Sequence, residues 1–393
     1  MQQPRFISLF AGCGGLDLGF IEAGFEPLAA YDIWPLAIEN YKKNIGDHGA
    51  VYDLSTGMLP ADIVCDVVLA GSPCQGFSTA GKRQFDDPRN NLLHAAAAIA
   101  IKARPKVIVF ENVLGVIQGK HRIHWDTVCN SIRSAGYQTT TLVVDARETG
   151  LPQLRKRVVL IAWNTGASFR PELDICTMPS LAEVIHGAES CENHEPRLLA
   201  KDSNEYRVAS HIRSGQKLCN VRGGSASVHT WNIPEVFGFV SDPEIEILRS
   251  LMGLRRRRRV RDFGDADPVP LDVLQAELKR CVAADVKSLL QKNYLRDLGG
   301  VLDLKHTFNG KYRRPCPNGV SHTVDSRFGD PTCFLHPDEP RGFSVREAAR
   351  IQGFPDRYIF HGPQSDQFKM VANAVPPAMG LSIGKMIRRG LCL

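Results

Sequence analysis

The stretch FISLFAGCGGLDLGF, at Phe6–Phe20, joins an apolar run to a glycine-rich turn and the start of a helical pattern. Phe6–Phe10 has the length and composition of a buried strand. Gly12, Gly14 and Gly15 follow it, and glycines allow both a tight turn and a close approach of the backbone to a ligand. A helix that starts after such a turn directs its free amide groups at that ligand. The stretch therefore predicts a strand, a binding loop and a helix. It lacks the G-x-G-x-x-G spacing of dinucleotide-binding loops, so a purely structural turn is the alternative.

The same alternation continues to about residue 165. Further strand-like runs occur at Val64–Ala70, Val107–Phe110, Leu142–Val144 and Val158–Ala162, and helical patterns such as Leu92–Ala103 lie between them. Strands that alternate with helices predict an α/β fold, with a parallel sheet covered by helices on both faces.

Composition sets the limits of this prediction. With 393 residues the chain is too long for one ordinary compact core, so we expect two domains. Its net charge of +6 is a mild excess and does not by itself indicate nucleic acid. The 11 cysteines include no CxxC pair, and the first residues, MQQPRFISLF, lack the features of a signal peptide. No apolar run reaches the roughly 18 residues of a membrane span. We therefore expect a cytoplasmic protein with reduced thiols and no membrane contact.

Acidic residues follow the next apolar runs at the predicted sheet edge. Asp32 comes about 20 residues after the glycine loop, where a carboxylate accepts hydrogen bonds from ribose hydroxyls. Asp53 follows Val51-Tyr52 and by the same logic would accept from an adenine amino group. An ordinary surface aspartate is the alternative for either residue. Together with the loop, they indicate a cofactor that contains adenosine and needs no phosphate contact.

A thiol and a carboxyl group follow two other apolar runs. Cys74 stands after Pro73 beyond Val67–Ala70, and a cysteine at a turn that leads towards a helix is placed to act as a thiolate nucleophile. Glu111 follows Lys106–Phe110, and a carboxyl group shielded from water there can stay protonated and donate to a ring nitrogen. The alternatives are an inert core cysteine and a hydrogen-bonded turn.

Arg155 and Arg157 stand two positions apart, just before the last predicted strand of this region. In extended chain their side chains point to opposite sides. One arginine can then face the active cleft while the other faces a phosphate or the second domain. A solvated strand end is the alternative.

In their order along the chain, these blocks resemble the DNA (cytosine-5)-methyltransferase family. Pro73-Cys74-Gln75 resembles the nucleophile motif, Glu111-Asn112-Val113 the base-binding motif, and Gln153-x-Arg155-x-Arg157 the QxRxR motif. Further matches are Asp87-Pro88-Arg89-Asn90 with Leu92, then Arg341, Arg346-Glu347, Ala349-Arg350 and Phe354-Pro355-Asp356, and finally Asn373–Pro376. The acid of the second strand is Asp32, where many members have Glu, and Ile33 stands between it and Trp34. This departure leaves open which side chain stacks on the adenine.

The resemblance implies a Rossmann-like domain that uses S-adenosyl-L-methionine and releases S-adenosyl-L-homocysteine. Cys74 would add to C6 of a flipped-out cytosine, Glu111 would hold the N3 and amino edge, Arg157 the base carbonyl, and Arg155 a phosphate. Gln75 and Ser78 would lie on a loop that closes on the DNA. The expected cofactor residues are Phe10, Gly12, Gly14, Gly15, Asp32, Ile33, Asp53, Leu54, Pro73, Leu92, Asn373 and Ala374.

The resemblance also implies a smaller target-recognition domain. We predict that residues 1–165 with 366–393 form the catalytic domain and that residues 166–365 recognise DNA. Within the latter, helical stripes and a strand at 241–304 suggest a winged-helix-like insertion, which would enter the major groove or only pack as a spacer. The basic residues expected at phosphates are Arg222 beside Gly223, and Arg255, Arg256 and Arg257 of the arginine run, although a solvated helix end is the alternative for the run. His306, Cys316, His322, Cys333 and His336 are too irregularly spaced for us to predict a metal site.

The expected partner is double-stranded DNA, in a prokaryotic restriction–modification system that would include a cognate endonuclease. A monomer suffices, since one base is flipped at each site, and the protein would associate with the nucleoid through its DNA. Two alternatives remain open: an RNA cytosine methyltransferase of related fold, and a DNA-binding relative without catalysis. The intact set of Cys74, Glu111 and Arg157 argues against the second alternative.

Overall fold

The computed structural model describes residues 3–73, 90–166, 169–261 and 266–391. It divides into two compact units. The first comprises Met1–Glu195, Asn318–Ser326 and Ser344–Leu393, and the second comprises Pro196–Pro317 and Arg327–Phe343. The sequence placed the division at residues 165 and 366 instead. The difference has a physical cause, because the 318–326 segment is tied to the first unit through Leu154 N–H to Ser321 O (2.9 Å) and Val324 N–H to Gln153 Oε1 (3.1 Å).

A seven-stranded sheet in the order β3-β2-β1-β4-β5-β7-β6 forms the centre of the first unit. Its strands are β1 (Arg5–Leu9), β2 (Glu26–Asp32), β3 (Gly49–Val51), β4 (Val67–Gly71), β5 (Val107–Val113), β6 (Gln138–Asp145) and β7 (Lys156–Trp163). The pairs from β3 to β5 are parallel, but β7 runs antiparallel to both β5 and β6. The expectation of a parallel sheet is therefore right for the five neighbouring strands β3 to β5 and wrong for β7, which runs opposite to all the other strands.

Helices cover both faces of this sheet. The helices of this unit are α1 (Gly15–Glu22), α2 (Pro35–Asn44), α3 (Asn91–Ala103), α4 (Arg122–Ser134), α5 (Leu181–Ile185), α11 (Val345–Ile351), α12 (Gln364–Asn373) and α13 (Pro377–Leu391), and α1, α3, α4 and α13 pack on the sheet. Successive strand residues point to opposite faces, so Ile7 and Leu9 pack in one apolar cluster with α3 and α4, while Phe6 packs in another with α1 and α13. Because both faces are buried, the central strands read as continuous apolar runs.

The second unit has its own core. Its elements are α6 (Asn204–His211), β8 (Lys217–Cys219), β9 (Ser227–Val228), α7 (Pro234–Phe237), α8 (Asp242–Arg257), β10 (Val269–Pro270), α9 (Leu271–Leu278), α10 (Ala283–Gln291), β11 (Leu295–Asp297), β12 (Val301–Leu304) and β13 (Asn309–Lys311). The helices α8, α9 and α10 pack around one apolar cluster with the antiparallel sheet β10-β12-β11. The segment 241–304 thus has the helix–strand–helix–helix–strand–strand order of a winged-helix module. None of the helices in the described ranges is long and apolar enough to cross a membrane.

Candidate active site

The loop after β1 opens onto a pocket at the carboxyl ends of the parallel strands. Phe10 has a φ of 56° and Gly12 a φ of 57°, backbone conformations that turn the chain sharply away from the strand. A Cβ atom added at Gly12 would meet no atom within 4 Å, so the backbone there faces open space. Both residues line the pocket, as the sequence predicted for a ligand-binding loop.

Gly14 and Gly15 have a different role. A Cβ atom at Gly14, whose φ is 85°, would lie 2.2 Å from a methyl carbon of Ile45. One at Gly15 would lie 2.3 Å from the carbonyl oxygen of Val375. Neither glycine is among the residues that line the pocket. Glycine is therefore needed at both positions for close packing of the loop against its neighbours, and their predicted contact with the cofactor stays a prediction.

Asp32 ends β2 and holds two backbone segments at the pocket. Its Oδ2 accepts a hydrogen bond from Gly12 N–H (2.9 Å) and its Oδ1 accepts one from Trp34 N–H (2.8 Å). Burial raises the pKa of this carboxyl group, and the backbone hydrogen bonds oppose the rise. A carboxylate has about four lone-pair sites and the backbone of Gly12, Ile33 and Trp34 uses three, so Asp32 can still accept a hydrogen bond from a ligand.

The aromatic residue near Asp32 in the pocket is Trp34, whereas Ile33 was the residue predicted to bind the cofactor. Trp34 lines the pocket, and the Lys369 ammonium lies 4.3 Å from the centre of its ring. Ile33 is 65% exposed and does not line the pocket. The sequence left the stacking residue open, and the structure identifies Trp34 as the aromatic surface available there.

Three other predicted cofactor residues lie away from the pocket lining. Asp53 is exposed and its Oδ1 accepts from Ser55 N–H (2.9 Å), so it caps a short helical turn. Leu54 is buried in the apolar core, and Leu92 in α3 is half-buried. None of the three is a lining residue of the pocket, and their predicted contact with the cofactor stays a prediction.

Pro73 lines the pocket next to the predicted nucleophile. The preceding turn is held by Asn112, whose Nδ2 donates to Ser72 Oγ (3.1 Å) and to Ser72 O (3.3 Å). Cys74, with Gln75 and Ser78, lies outside the described residues. Asn112 therefore holds Ser72 in place, two residues before Cys74 in the sequence.

Glu111 and Arg157 form an ion pair at the other end of the pocket. Glu111 stands within β5, opposite Gly71 of β4, rather than after the strand as the sequence suggested. Arg157 Nε lies 2.8 Å from Glu111 Oε1, with the two side chains 14% and 9% exposed. Burial raises the pKa of Glu111, while the positive charges of Arg157 and Arg155 oppose the rise. Burial therefore favours the protonated form of Glu111 more than that of an exposed glutamate.

Arg155, which was predicted to contact a phosphate, lies buried beside the pocket. Its side chain is 2% exposed. Its guanidinium donates to the carbonyl oxygens of Ala374 (2.9 Å), Ala372 (3.1 Å) and Val324 (3.5 Å). These hydrogen bonds connect Arg155 to the segment that forms one wall of the pocket, and its predicted phosphate contact stays a prediction.

The segment that Arg155 holds completes the pocket. Asn373 and Ala374 line it, as predicted, together with Met370 and Val375. Gln352 Nε2 donates to Ala374 O (2.7 Å) and so secures the same carbonyl group from a second side. The sequence reasoning also missed Ser8 and Asp17, which line the pocket although no motif spacing marks them. In the described part of the chain, no three His, Cys, Asp or Glu side chains group as metal ligands.

The charges of this pocket are divided. Asp17 and Asp32 line one part, and Glu111 with Arg155 and Arg157 lines another. The first part also carries Trp34 and the open backbone at Gly12, which suit an aromatic ring and a closely approaching ligand. The lining residues therefore fit a cation that bears an aromatic group beside a site for a polar ring.

In the second unit, an arginine cluster lies between the turn after β8 and the end of α8. Its lining residues include Arg222, Arg249, Arg256 and Arg257 with Gly223 and Met252, and no carboxylate. Arg257 is paired with Glu277. Like charges this dense repel one another unless an anion meets them, so the cluster is suited to phosphate.

Arg255 does not join this cluster. It is 6% exposed, and its Nε lies 2.5 Å from Asp303 Oδ1 in β12. Because α8 turns about 100° per residue, Arg255 faces the core while Arg256 faces solvent. The buried pair indicates a structural role for Arg255, whose predicted DNA contact stays a prediction. Arg249, which the sequence did not single out, lies in the cluster.

Known proteins are similar to this chain over its whole length. A Type II methyltransferase, M.XorII of Xanthomonas oryzae pv. oryzae, is 29% identical over 409 residues, which cover 100% of this chain and 86% of that protein. M.HgiBI of Herpetosiphon aurantiacus is 28% identical, with 99% of this chain and 97% of that protein covered. A crystal structure of a proposed DNA modification methyltransferase encoded within an E. coli prophage has a TM-score of 0.61 at 22% identity, with 100% of each chain covered, and shares the fold. The model of the C-5 cytosine-specific DNA methylase family matches residues 4–389, so this chain belongs to that family.

Proposed function

We propose that the protein transfers a methyl group from S-adenosyl-L-methionine to C5 of a cytosine in a specific site of duplex DNA. The observation that carries the proposal is the pocket, where Gly12, Asp32 and Trp34 meet Pro73 and the Glu111–Arg157 pair. Membership of the C-5 cytosine-specific DNA methylase family supports the reaction type.

The cofactor would lie against the first part of the pocket. Asp32 would accept from its ribose, Trp34 would offer a face to its adenine, and the open backbone at Gly12 would admit it. When bound, it supplies an electrophilic methyl group. Phe10, Pro73 and the Asn373-Ala374 segment would exclude water from it.

The cytosine would be flipped out of the duplex, because its C5 and C6 are otherwise inaccessible in the stack. We propose that the Cys74 thiolate adds to C6 and that Glu111, protonated, donates to N3. The raised pKa of Glu111 supports this role, since a buried acid can deliver a proton that an exposed glutamate would already have lost. Arg157 orients Glu111 and would approach the base carbonyl. C5 of the adduct would then take the methyl group that the cofactor supplies, and S-adenosyl-L-homocysteine would leave. Loss of the C5 proton to a base, return of the N3 proton to Glu111 and departure of the Cys74 thiolate would restore the aromatic ring of 5-methylcytosine.

The arginine cluster of the second unit supports duplex DNA as the substrate. Arg222, Arg249 and Arg256 would contact phosphates, which position the protein without reading sequence. The winged-helix-like segment 241–304 would supply an element for the major groove. The relatives named Type II methyltransferases suggest a restriction–modification system, in which a cognate endonuclease would share the recognition site.

The test is methyl transfer from labelled cofactor to DNA, with nucleoside analysis by mass spectrometry. We expect 5-methylcytosine with the wild-type protein and none with Cys74→Ser, which should still bind the cofactor. Transfer to transfer RNA but not to DNA would replace the proposal with RNA methylation. DNA binding without transfer to either would show a binding protein.

A further inference from the structure

Asp17 is a buried carboxylate that the proposed reaction does not use. It lies in the first turn of α1 and is 0% exposed, yet it belongs to the pocket lining together with Ser8 and Cys13. Its Oδ1 accepts from Ser8 Oγ (2.7 Å) and its Oδ2 accepts from Tyr41 O–H (2.8 Å). A buried carboxylate is costly unless something compensates its charge.

The groups around Asp17 supply hydrogen bonds but no positive charge. Ser8 comes from β1, Tyr41 from α2, Cys13 from the loop, and Tyr358 stands behind the loop with its hydroxyl on Cys13 O (2.6 Å). His48 follows as a second partner of Tyr41, at 2.8 Å. Within the described ranges, none of the salt bridges to Lys or Arg involves Asp17. Burial raises the pKa of Asp17 to about 6, which leaves it mostly ionised above neutral pH.

A charge in this position acts on whatever binds beside it. The positive charges of the two pocket arginines act on Glu111, which is paired with Arg157, and neither arginine contributes to the pKa shift of Asp17. Charges in a medium of low polarity interact strongly through space even without contact. The part of the pocket that Asp17 and Asp32 line therefore favours a cationic ligand over an otherwise similar neutral one.

We infer that the Asp17 carboxylate is a specificity-determining counter-charge, which makes the pocket prefer the sulfonium cofactor over its thioether product. The inference rests on the proposed function, since it presupposes that S-adenosylmethionine binds here. The two molecules carry the same amino-acid and adenosine groups and differ by the methyl group and one positive charge on sulfur. A residue that interacts with that charge therefore changes their relative affinity and so limits product inhibition.

The experiment is a calorimetric titration of the DNA-free protein at pH 8 with each ligand separately. Asp17→Asn keeps the size of the side chain, and the Tyr41 hydroxyl can rotate to accept from the new amide. We expect the Kd for S-adenosylmethionine to rise about tenfold in this variant and that for S-adenosylhomocysteine to change less than about twofold, as for the loss of one attraction between opposite charges. Equal changes in both constants would overturn the inference and leave Asp17 a structural residue.

Ser8→Ala is the matched control, because it removes a hydrogen bond to Asp17 but keeps the carboxylate. Its ratio of the two constants should match that of the wild type. If Ser8→Ala lowered the preference for S-adenosylmethionine as much as Asp17→Asn does, the preference would come from the hydrogen-bonded network, and the inference would be contradicted. The thermal midpoints of both variants report whether they are folded. A wild-type protein that binds neither S-adenosylmethionine nor S-adenosylhomocysteine would refute the proposed cofactor itself. This outcome differs from failure of the inference, in which both ligands bind and only the ratio of their Kd values is unaffected by Asp17→Asn.

A pH series separates Asp17 from its neighbours. The wild-type preference for S-adenosylmethionine should decline as the pH falls through about 6, and Asp17→Asn should show no such decline. His48 and Asp32 also titrate near this pocket and remain in the variant. A decline that persists in Asp17→Asn would therefore belong to them and would count against Asp17.

Discussion

Glu111 combines burial with an adjacent positive charge, and these push its proton affinity in opposite directions. Burial dominates, so its pKa is raised and the acid form is favoured. Glu111→Gln keeps the shape but cannot transfer a proton. We expect kcat to fall about 100-fold or more, the usual contribution of a general acid, while cofactor affinity stays within about twofold.

Single-turnover methylation and a cofactor titration on the same preparation would measure this separation. In the wild type, activity should decline on the alkaline side as the Glu111 proton is lost, and Glu111→Gln should lose that alkaline limb. A variant with unchanged turnover would show that Glu111 is not the acid.

Asp17 also predicts how stability depends on pH. Its pKa is 3.8 in the unfolded reference and about 6 in the folded protein, so the folded state binds the proton more tightly. The stabilising effect of the protonated form is complete below about pH 4 and is lost as the pH rises through about 6. The shift of about two units corresponds to roughly 3 kcal/mol between the two limits.

Urea unfolding from about pH 4 to about pH 7 checks this expectation, because the change falls between the two pKa values. The free energy of unfolding of Asp17→Asn relative to wild type should rise by up to that amount as the pH increases. A pH-independent difference would mean that the carboxylate is as well solvated as in the unfolded chain. An increase would indicate that the wild type retains a costly charge, which is expected of a residue kept for binding.

Residues within short motifs were predictable, and residues that act through distant partners were not. Glu111 and Arg157 belong to recognisable blocks, and the structure brings them within 2.8 Å of each other. Asp17 looks like one polar residue in a helical turn, because its partner Tyr41 is 24 positions away. Trp34 was visible but ambiguous, since only the direction of the chain after Asp32 decides whether it or Ile33 faces the pocket.

At the scale of elements, Arg155 connects the entry to β7 with the segment between α12 and α13. It donates to Ala372 O and Ala374 O, which flank the pocket residue Asn373. Replacing it with methionine leaves these carbonyl groups without their charged donor. We expect a loss of roughly 3 kcal/mol in the free energy of unfolding and weaker cofactor binding.

Arg157→Met is the matched comparison, because Arg157 is two residues away and lies at the pocket surface. It should reduce turnover with a smaller loss of stability. Urea unfolding and cofactor titration of both variants would show whether the loss of stability is larger for Arg155→Met than for Arg157→Met. If Arg155→Met unfolds like the wild type, the guanidinium is not the tie that its contacts indicate.

The direction of β7 could not be predicted from the sequence. Its apolar run is buried on both faces, as in the parallel strands, and periodicity encodes burial but not direction. The registers with β5 and β6 make it antiparallel to both. The helical patterns were better guides: Leu92–Ala103 was predicted and Asn91–Ala103 is found, since an amphipathic stripe identifies a helix by itself.

At the scale of the molecule, the sequence predicted two units but not their true boundaries. Composition changes near residue 165, yet the first unit extends to Glu195 and takes back the separate segment Asn318–Ser326. That segment returns because Gln153, fully buried, accepts from Val324 N–H and donates to Ile351 O. Hydrogen bonds between segments that are distant in sequence do not change the local amino-acid composition, so composition cannot reveal them.

The arginine cluster of the second unit gives a prediction for the whole enzyme acting on DNA. Arg222, Arg249 and Arg256 line one pocket whose lining contains no carboxylate. Each phosphate that an arginine contacts releases a counterion, so the number of contacts appears in the dependence of Kd on salt concentration. Replacing all three with alanine should reduce the slope of log Kd against log salt by about 3, with near-normal turnover at saturating DNA in low salt.

Two matched variants make the test specific. Lys42→Ala removes an exposed charge from α2 in the first unit and should leave the slope unchanged. Arg255→Ala should act differently again: it breaks the buried pair with Asp303 and lowers the stability of the second unit rather than the salt slope of the folded protein. Fluorescence anisotropy with a duplex at several salt concentrations would measure all three. An unchanged slope in the triple variant would remove these arginines from the DNA contact, because charge that meets phosphate must appear in the salt dependence.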